Sequence, residues 1–225
     1  MPAPKMTSEL DESLDKSNIK CVLVGDSAIG KSCLAARITN NTFHTEYLPT
    51  LFDNYAVTVI VQNEPYVLSL FDTPGQDEYI RLRTMSYMKC DVFAVCFSVV
   101  KRESYKHVSD IWLPEIRRYL PNTPFLLVGT QTDLRLSGVT TGGGVNNGSN
   151  NNPLKPVVSS AEGVKMADRL GAHCYVECSA LNQTGIQTVK HKLIRAAQDI
   201  GQGKGGIVGD DDLSDSCTKC GCQIV

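Results

Sequence analysis

The stretch that most constrains this chain runs over residues 19–32 and reads I-K-C-V-L-V-G-D-S-A-I-G-K-S. Its apolar run at 21–24 predicts a strand. The strand empties into Gly25-Asp26-Ser27-Ala28-Ile29-Gly30-Lys31-Ser32, which fits G-x-x-x-x-G-K-[ST], and a helix-compatible run follows to Ile38. Strand, glycine loop and helix in that order are what a phosphate-binding loop requires. Glycines let the backbone curl so that successive N–H groups point inward at an anion. The helix opening near Lys31 adds the positive end of its dipole. Lys31 can reach β- and γ-phosphates as a point charge, and the Ser32 hydroxyl can ligate Mg²⁺. The competing reading is a chance glycine turn, which motif and context together disfavour.

The remaining pattern places this loop in an α/β domain. Residues 56–61 and 66–71 read as a hairpin about a turn at 62–65. Residues 92–100, 125–128 and 174–176 are apolar runs of the kind found in strands covered on both faces. Tyr105, Val108, Ile111, Trp112, Ile116 and Tyr119 recur at helical spacing, with Pro114 expected to kink that helix or start a new turn. Ser159-Ser160-Ala161-Glu162 is a capping-box signature, and Gly171 fits the closing cap of the same helix. Ile186, Val189, Leu193, Ala197 and Ile200 line one face of a final helix opened by Thr184-Gly185. Strands alternating with helices predict a mostly parallel six-stranded sheet with one antiparallel edge strand and helices on both faces. Right-handed crossovers then gather the loops after the strands along one edge, where a ligand sits.

Length and composition fit one such domain at residues 18–200 of the 225. An extension at 1–17, a Gly/Asn-rich insertion at about 137–153 and a Gly/Asp-rich tail at 201–225 flank or interrupt it and read as disordered. Net charge is −2, so no broad basic balance suggests nucleic acid. No 18-residue apolar span predicts a transmembrane helix, and the first 20 residues are too polar for a signal peptide. Of nine cysteines, Cys21, Cys33, Cys90, Cys96, Cys174 and Cys178 lie in or beside apolar segments and read as small buried hydrophobes. An odd count without a signal peptide argues for a reducing compartment.

Three further stretches carry chemistry. Gly129-Thr130-Gln131-Thr132-Asp133 follows a buried strand, where a base-reading loop belongs. A carboxylate at Asp133 can accept hydrogen bonds from the N1–H and exocyclic amine of guanine, which adenine cannot supply. On those residues alone, an Asp capping a turn before Leu134 is an equal alternative. Cys178-Ser179-Ala180 gives a second loop at the same edge, whose N–H groups could meet guanine O6. Asp72 ends an apolar strand, as a carboxylate holding Mg²⁺ would, with Gly75 placed to bring its N–H to a γ-phosphate and Gln76 to orient an attacking water. The alternative for Asp72-Thr73-Pro74-Gly75 is a simple turn.

Taken together, these stretches resemble the Ras superfamily of small GTPases, and within it the Rho family, Rac-like members. The resemblance rests on G-D-S-A-I-G-K-S-C-L, E-Y-L-P-T-L-F-D-N-Y, L-F-D-T-P-G-Q-D-E-Y-I-R-L-R, W-L-P-E-I-R-R-Y-L-P-N-T-P, L-V-G-T-Q-T-D-L-R and E-C-S-A-L, and spans about residues 20–200. It implies GTP, GDP and Mg²⁺ as ligands, bound by Gly25 through Cys33 and by Asp72, Gly75, Gln131, Asp133, Ser179 and Ala180. Residues 40–55 resemble switch I, in which Thr50 would sense Mg²⁺ and γ-phosphate, Tyr47 would close over the phosphates and Phe43 would pack on the base. Ser32, Thr50 and Asp72 would hold the metal, and Lys31, Thr50 and Gln76 would serve hydrolysis. Residues 72–86 resemble switch II, and Leu51, Phe52, Asp53, Asn54 and Tyr55 would face effectors. Such a protein is implied to act as a monomer that meets effectors, exchange factors and GTPase-activating proteins in cytoskeletal or polarity signalling.

The chain departs from that pattern at Ser27, where relatives carry glycine, and at Pro74, where alanine is common. Gln131 stands where many relatives have lysine, and the insertion is too rich in Gly and Asn for the family's extra helix. At the C-terminus Cys222-Gln223-Ile224-Val225 fits C-a-a-X, which implies prenylation of Cys222. One lipid anchors only reversibly, and the tail's aspartates 210–212 and 215 leave no basic cluster, so Cys217 and Cys220 become candidate palmitoylation sites. This predicts a lipid-anchored protein on the cytoplasmic face of the plasma membrane or endomembranes, with a cytosolic pool. The three cysteines as half a zinc site lack a second half. Two other functions remain in view: a GTP-loaded interaction module that hydrolyses little because of Ser27, and a P-loop kinase, disfavoured for want of a phosphoacceptor lid.

Overall fold

The computed structural model describes residues 17–43, 50, 52–137 and 157–201. All but residue 17 of the expected extension, almost all of the insertion and the tail beyond residue 201 lie outside the described residues.

Six strands form one sheet in the order β2-β3-β1-β4-β5-β6, with β1 at Asn18–Val24, β2 at Asp53–Val61, β3 at Glu64–Asp72, β4 at Val92–Ser98, β5 at Phe125–Thr130 and β6 at Cys174–Glu177. Only the β2–β3 pair is antiparallel; β1 pairs parallel with β3 and β4, β4 with β5, and β5 with β6. Every residue of β4 and β5 is buried, because helices cover both faces of a parallel sheet. Edge strand β2 is buried only at Val59 and Val61.

Two apolar layers hold the helices on. On one face, Cys21, Leu23, Leu70 and Val128 pack with Leu34 and Ile38 of α1 (Lys31–Asn40) and with Val189 and Leu193 of the last helix. On the other, Val22, Val95 and Phe97 pack with Trp112, Ile116, Met166 and Ala167. In the last helix, at Ile186–Gly201, Ile186, Val189 and Leu193 are buried as its spacing predicts. The capping box is present: Ser159 Oγ accepts from Glu162 N at 3.3 Å, and Glu162 Oε2 accepts from Ser159 N at 2.9 Å. Arg102 and those same cap bonds hold the Glu162 carboxyl down at about 2. Gly171 closes this helix (Ser160–Leu170) with a left-handed backbone.

Local expectations are corrected in four places. The hairpin turn is two residues, Gln62 and Asn63, both at positive φ, the form whose twist matches the strands it joins. Pro65 therefore belongs to β3, opposite Ile60 and ahead of the β3–β1 ladder that begins at Val67, where its missing N–H costs nothing. β4 stops at Ser98, because Val99 turns away to bond Thr130 O and Val158 N. Cys33 is only partly buried, since α1 turns Leu34, Ala35 and Ile38 to the sheet instead. The remaining five described cysteines are buried thiols outside any disulfide, and burial pushes those of Cys90 and Cys96 up to about 12.

The fourth correction concerns the helix around Pro114. It is three pieces: α-helix at Arg102–His107, a π turn at Val108–Trp112 and α-helix at Leu113–Tyr119. In an uninterrupted α-helix, the proline ring would crowd the Asp110 carbonyl and leave it without a donor. The wider turn precedes the proline and shifts the helical phase, so Val108, Trp112 and Ile116 stay buried while Ile111 and Tyr119 reach solvent.

Candidate functional site

The loops after β1, β3, β5 and β6 meet at one edge of the sheet. In the first, Lys31 is buried and donates from Nζ to the carbonyls of Gly25 and Asp26, both at 2.7 Å. Burial lowers its pKa, and the nearby Asp72 charge opposes that shift. Helix α1 opens on Gly30 with no side-chain cap and no acidic residue in its first turn, which leaves that end electropositive.

Next to this end, the Ser32 and Thr50 hydroxyls are 2.6 Å apart. Asp72 is fully buried at the end of β3, and neither carboxylate oxygen has a hydrogen-bond partner. Burial raises its pKa; the Ser32 hydroxyl and the Lys31 ammonium pull the other way without reaching bonding geometry on the carboxylate. An orphaned buried carboxylate beside two hydroxyls and an open helix end fits a divalent cation shared with a phosphate. Among the described residues no group of three His, Cys, Asp or Glu side chains stands ready to hold a metal without such a ligand.

The segment after β3 lies directly on the phosphate loop. A Cβ at Gly75 would come within 2.5 Å of Asp26 C, Gly25 O and Ser27 N, so only glycine allows this approach. Thr73 anchors the segment by donating to Leu23 O at 2.6 Å. Gln76 is half-buried, and its carbonyl accepts from Arg83 Nη1 at 2.7 Å.

At the far end of the edge, Ser179 Oγ donates to Asp133 Oδ1 at 2.6 Å, which ties the loops after β5 and β6 together. Gln131 has a left-handed backbone, accepts from Ser98 Oγ at 2.6 Å and extends its side chain toward Gly30. Ala180 O accepts from Arg37 Nε at 2.7 Å, and the same guanidinium lies over the Phe43 ring at 5.9 Å. Asp133, Ser179, Ala180 and Gln131 thus flank the phosphate loop on one side, with Asp72, Thr50 and Gly75 on the other.

A family model described as the Ras family matches residues 20–199, most of the chain and all but the first two residues of the sheet. The chain belongs to the Ras family. Ras-family proteins are small GTPase switches that bind GTP and GDP, typically with Mg²⁺, and meet effectors, exchange factors and activating proteins. The α/β architecture with one antiparallel strand pair is that of their nucleotide-binding domain.

Several residues of this Ras-family site escape sequence reasoning. Thr130 Oγ1 lies 2.5 Å from Ile29 O and 2.9 Å from Phe97 O, stapling the β5 loop under the phosphate loop. Arg135 makes a two-pronged pair with Glu177 at 2.7 and 2.8 Å, fixing the helix at Thr132–Ser137 that carries Asp133. Arg83 is fully buried and forks onto Glu115 at 2.9 and 2.6 Å, while Tyr87 OH donates to the same carboxylate. Asp26 contributes its side chain as well as its backbone, accepting from Trp112 Nε1 and contacting His107 Nδ1, each at 2.8 Å. None of these pairs has a local spacing to reveal it. Tyr47, Leu51, Cys217, Cys220 and Cys222 lie outside the described residues.

Proposed function

We propose that this chain is a Rho-type GTP-binding switch that hydrolyses GTP to GDP, engages effectors through residues 40–55 and 72–86, and is anchored to membrane through its C-terminal cysteines. The observation that carries the switch reading is the convergence of Ser32, Thr50 and the partnerless Asp72 carboxylate beside the open end of α1. These residues come from the phosphate loop, the 40–55 segment and the end of β3. A phosphate-bound Mg²⁺ there would join all three, and loss of the γ-phosphate would release the 40–55 segment and the segment that follows Asp72 from that contact.

When bound, the metal neutralises charge on the β- and γ-phosphates. Lys31 adds a second positive charge, drawn from its loop carbonyls onto the phosphates. Gly75 presents its N–H to the γ-phosphate, and Gln76 orients the attacking water. Asp133 accepts from the guanine edge, with Ser179 holding its carboxylate in place. The Rho assignment draws on the stretches E-Y-L-P-T-L-F-D-N-Y and T-Q-T-D-L-R. Anchoring draws on Cys222 in C-a-a-X, with Cys217 and Cys220 as acylation sites.

One observation favours a second reading, a GTP-loaded interaction module with slow turnover. The backbone at Gly75 already meets that of Ser27 with no room for a methyl group, so the two segments that carry Ser27 and Gln76 have little slack for a side chain larger than glycine's at position 27. Asp133→Asn tests the base assignment: exchanging the acceptor for an amide should move preference from GTP to XTP. An unchanged preference for GTP would remove Asp133 from base recognition.

A further inference from the structure

Asp26 is the one acidic side chain in the phosphate loop, and its position there calls for a reason beyond nucleotide contact. Its carboxylate accepts Trp112 Nε1 on Oδ1 and meets His107 Nδ1 on Oδ2, both at 2.8 Å. An ionised carboxylate only accepts, so the His107 ring carries its proton on Nδ1 in this contact. The two partners are five residues apart. In an α-helix, side chains five apart point about 140° away from each other and cannot share one carboxylate. The π turn at Val108–Trp112 narrows that divergence: Leu113 N–H reaches back five residues to Val108 O, and the wider turn brings residues five apart closer to one face.

The Trp112 ring has a second role. It is almost fully buried, and the Arg83 guanidinium lies over it at 4.9 Å. Arg83 in turn holds Gln76 O at 2.7 Å and is itself fixed by Glu115, on the helix that begins immediately after Trp112. One indole therefore stands between the phosphate loop and the backbone of the residue that orients water. His107, with a side chain 39% exposed, closes the other side of Asp26.

We propose that His107 and Trp112 are positioning residues that hold the phosphate loop through Asp26, and that the Trp112–Arg83 contact sets Gln76 against that loop. The π turn is the device that lets both reach one carboxylate. This rests on the guanine-nucleotide reading above and adds to it the residues that keep loop and Gln76 in register. Neither side chain touches nucleotide; each acts through Asp26 or Arg83.

Trp112 is the only tryptophan in the chain, so its indole N–H gives a single resonance that reports the Asp26 bond directly. The test compares the GDP-bound full chain with His107→Ala, His107→Asn and Trp112→Phe. Measurements are GDP release, single-turnover GTP hydrolysis and hydrogen exchange of the indole N–H. His107→Ala and Trp112→Phe should speed GDP release and slow hydrolysis, each by about tenfold, the size expected for losing a hydrogen bond to a charged group. His107→Ala should also quicken exchange of the indole N–H. His107→Asn offers an amide donor where Nδ1 stood and should return all three readouts to wild type, a rescue that a merely space-filling histidine would not predict. Wild-type release and hydrolysis in folded His107→Ala and Trp112→Phe, or His107→Asn behaving like His107→Ala, would overturn the positioning role alone. Failure of the wild type to retain any guanine nucleotide would overturn the functional reading and this role together.

Discussion

Replacing Asp72 by Asn should change stability in opposite directions with and without metal. Asp72 is fully buried at the end of β3, and neither oxygen has a hydrogen-bond partner. A buried polar group left unsatisfied costs about 1–3 kcal/mol, and a charged one costs more. The amide is neutral but still polar, so Asp72→Asn should recover the lower part of that range, about 1–2 kcal/mol, in metal-free protein. For a chain of this size each kcal/mol moves the melting temperature by about 2–4 °C, which predicts a rise of about 2–8 °C in EDTA. With GDP and Mg²⁺ the order should invert. A ligand at a hundred times its dissociation constant adds about 2.7 kcal/mol to the protein that binds it, and the variant should forfeit most of that. Differential scanning fluorimetry in EDTA without nucleotide, and with GDP and Mg²⁺, measures both signs. A variant less stable than wild type in EDTA, with an undiminished gain from Mg²⁺, would show that Asp72 is structural and not a metal partner.

Gly75→Ala should slow single-turnover hydrolysis by about a hundredfold with GDP still bound, because the added methyl must push the 73–76 segment off Asp26 and Ser27 by much of an ångström; an unchanged rate would mean that this close approach is irrelevant to turnover. Ser27→Gly should hydrolyse GTP faster than wild type, alone and with a Rho-family activating protein, by removing the hydroxymethyl bulk at position 27; equal rates in the two proteins would dismiss the slow-turnover reading. Cys222→Ser should move the protein to the soluble fraction on cell fractionation, and replacing Cys217 and Cys220 together should leave only weak, transient attachment, since one acyl or prenyl chain anchors marginally; firm retention in that double variant would reject the two-lipid arrangement.

The strand, loop and helix within residues 19–38 were legible because all of their information is local. The mostly parallel sheet with its antiparallel edge followed from apolar runs alternating with helical periodicity, and the capping box from four adjacent residues. Features that set the site's fine geometry were not legible. The π turn leaves apolar spacing that still resembles a helix, so Ile111 and Tyr119 read as core until the wider turn rotates them out. Pro65 suggested a longer turn because a proline inside a strand is unusual, yet its place ahead of the β3–β1 ladder removes the conflict. Asp26 meets His107 and Trp112 across 81 and 86 residues, and Arg83 meets Glu115 across 32. Polar pairs so distant carry no periodic signal, and only the folded sheet edge brings them together.

The account stands on the claim that this edge is a guanine-nucleotide site closed by Mg²⁺. Its most direct test is the identity and amount of nucleotide retained by the purified full chain, released by denaturation and separated chromatographically, with and without prior EDTA. A guanine-nucleotide site closed by Mg²⁺ should hold close to one GDP or GTP per chain in Mg²⁺ and lose it after EDTA. Retention of adenine nucleotide, or occupancy indifferent to EDTA, would contradict it.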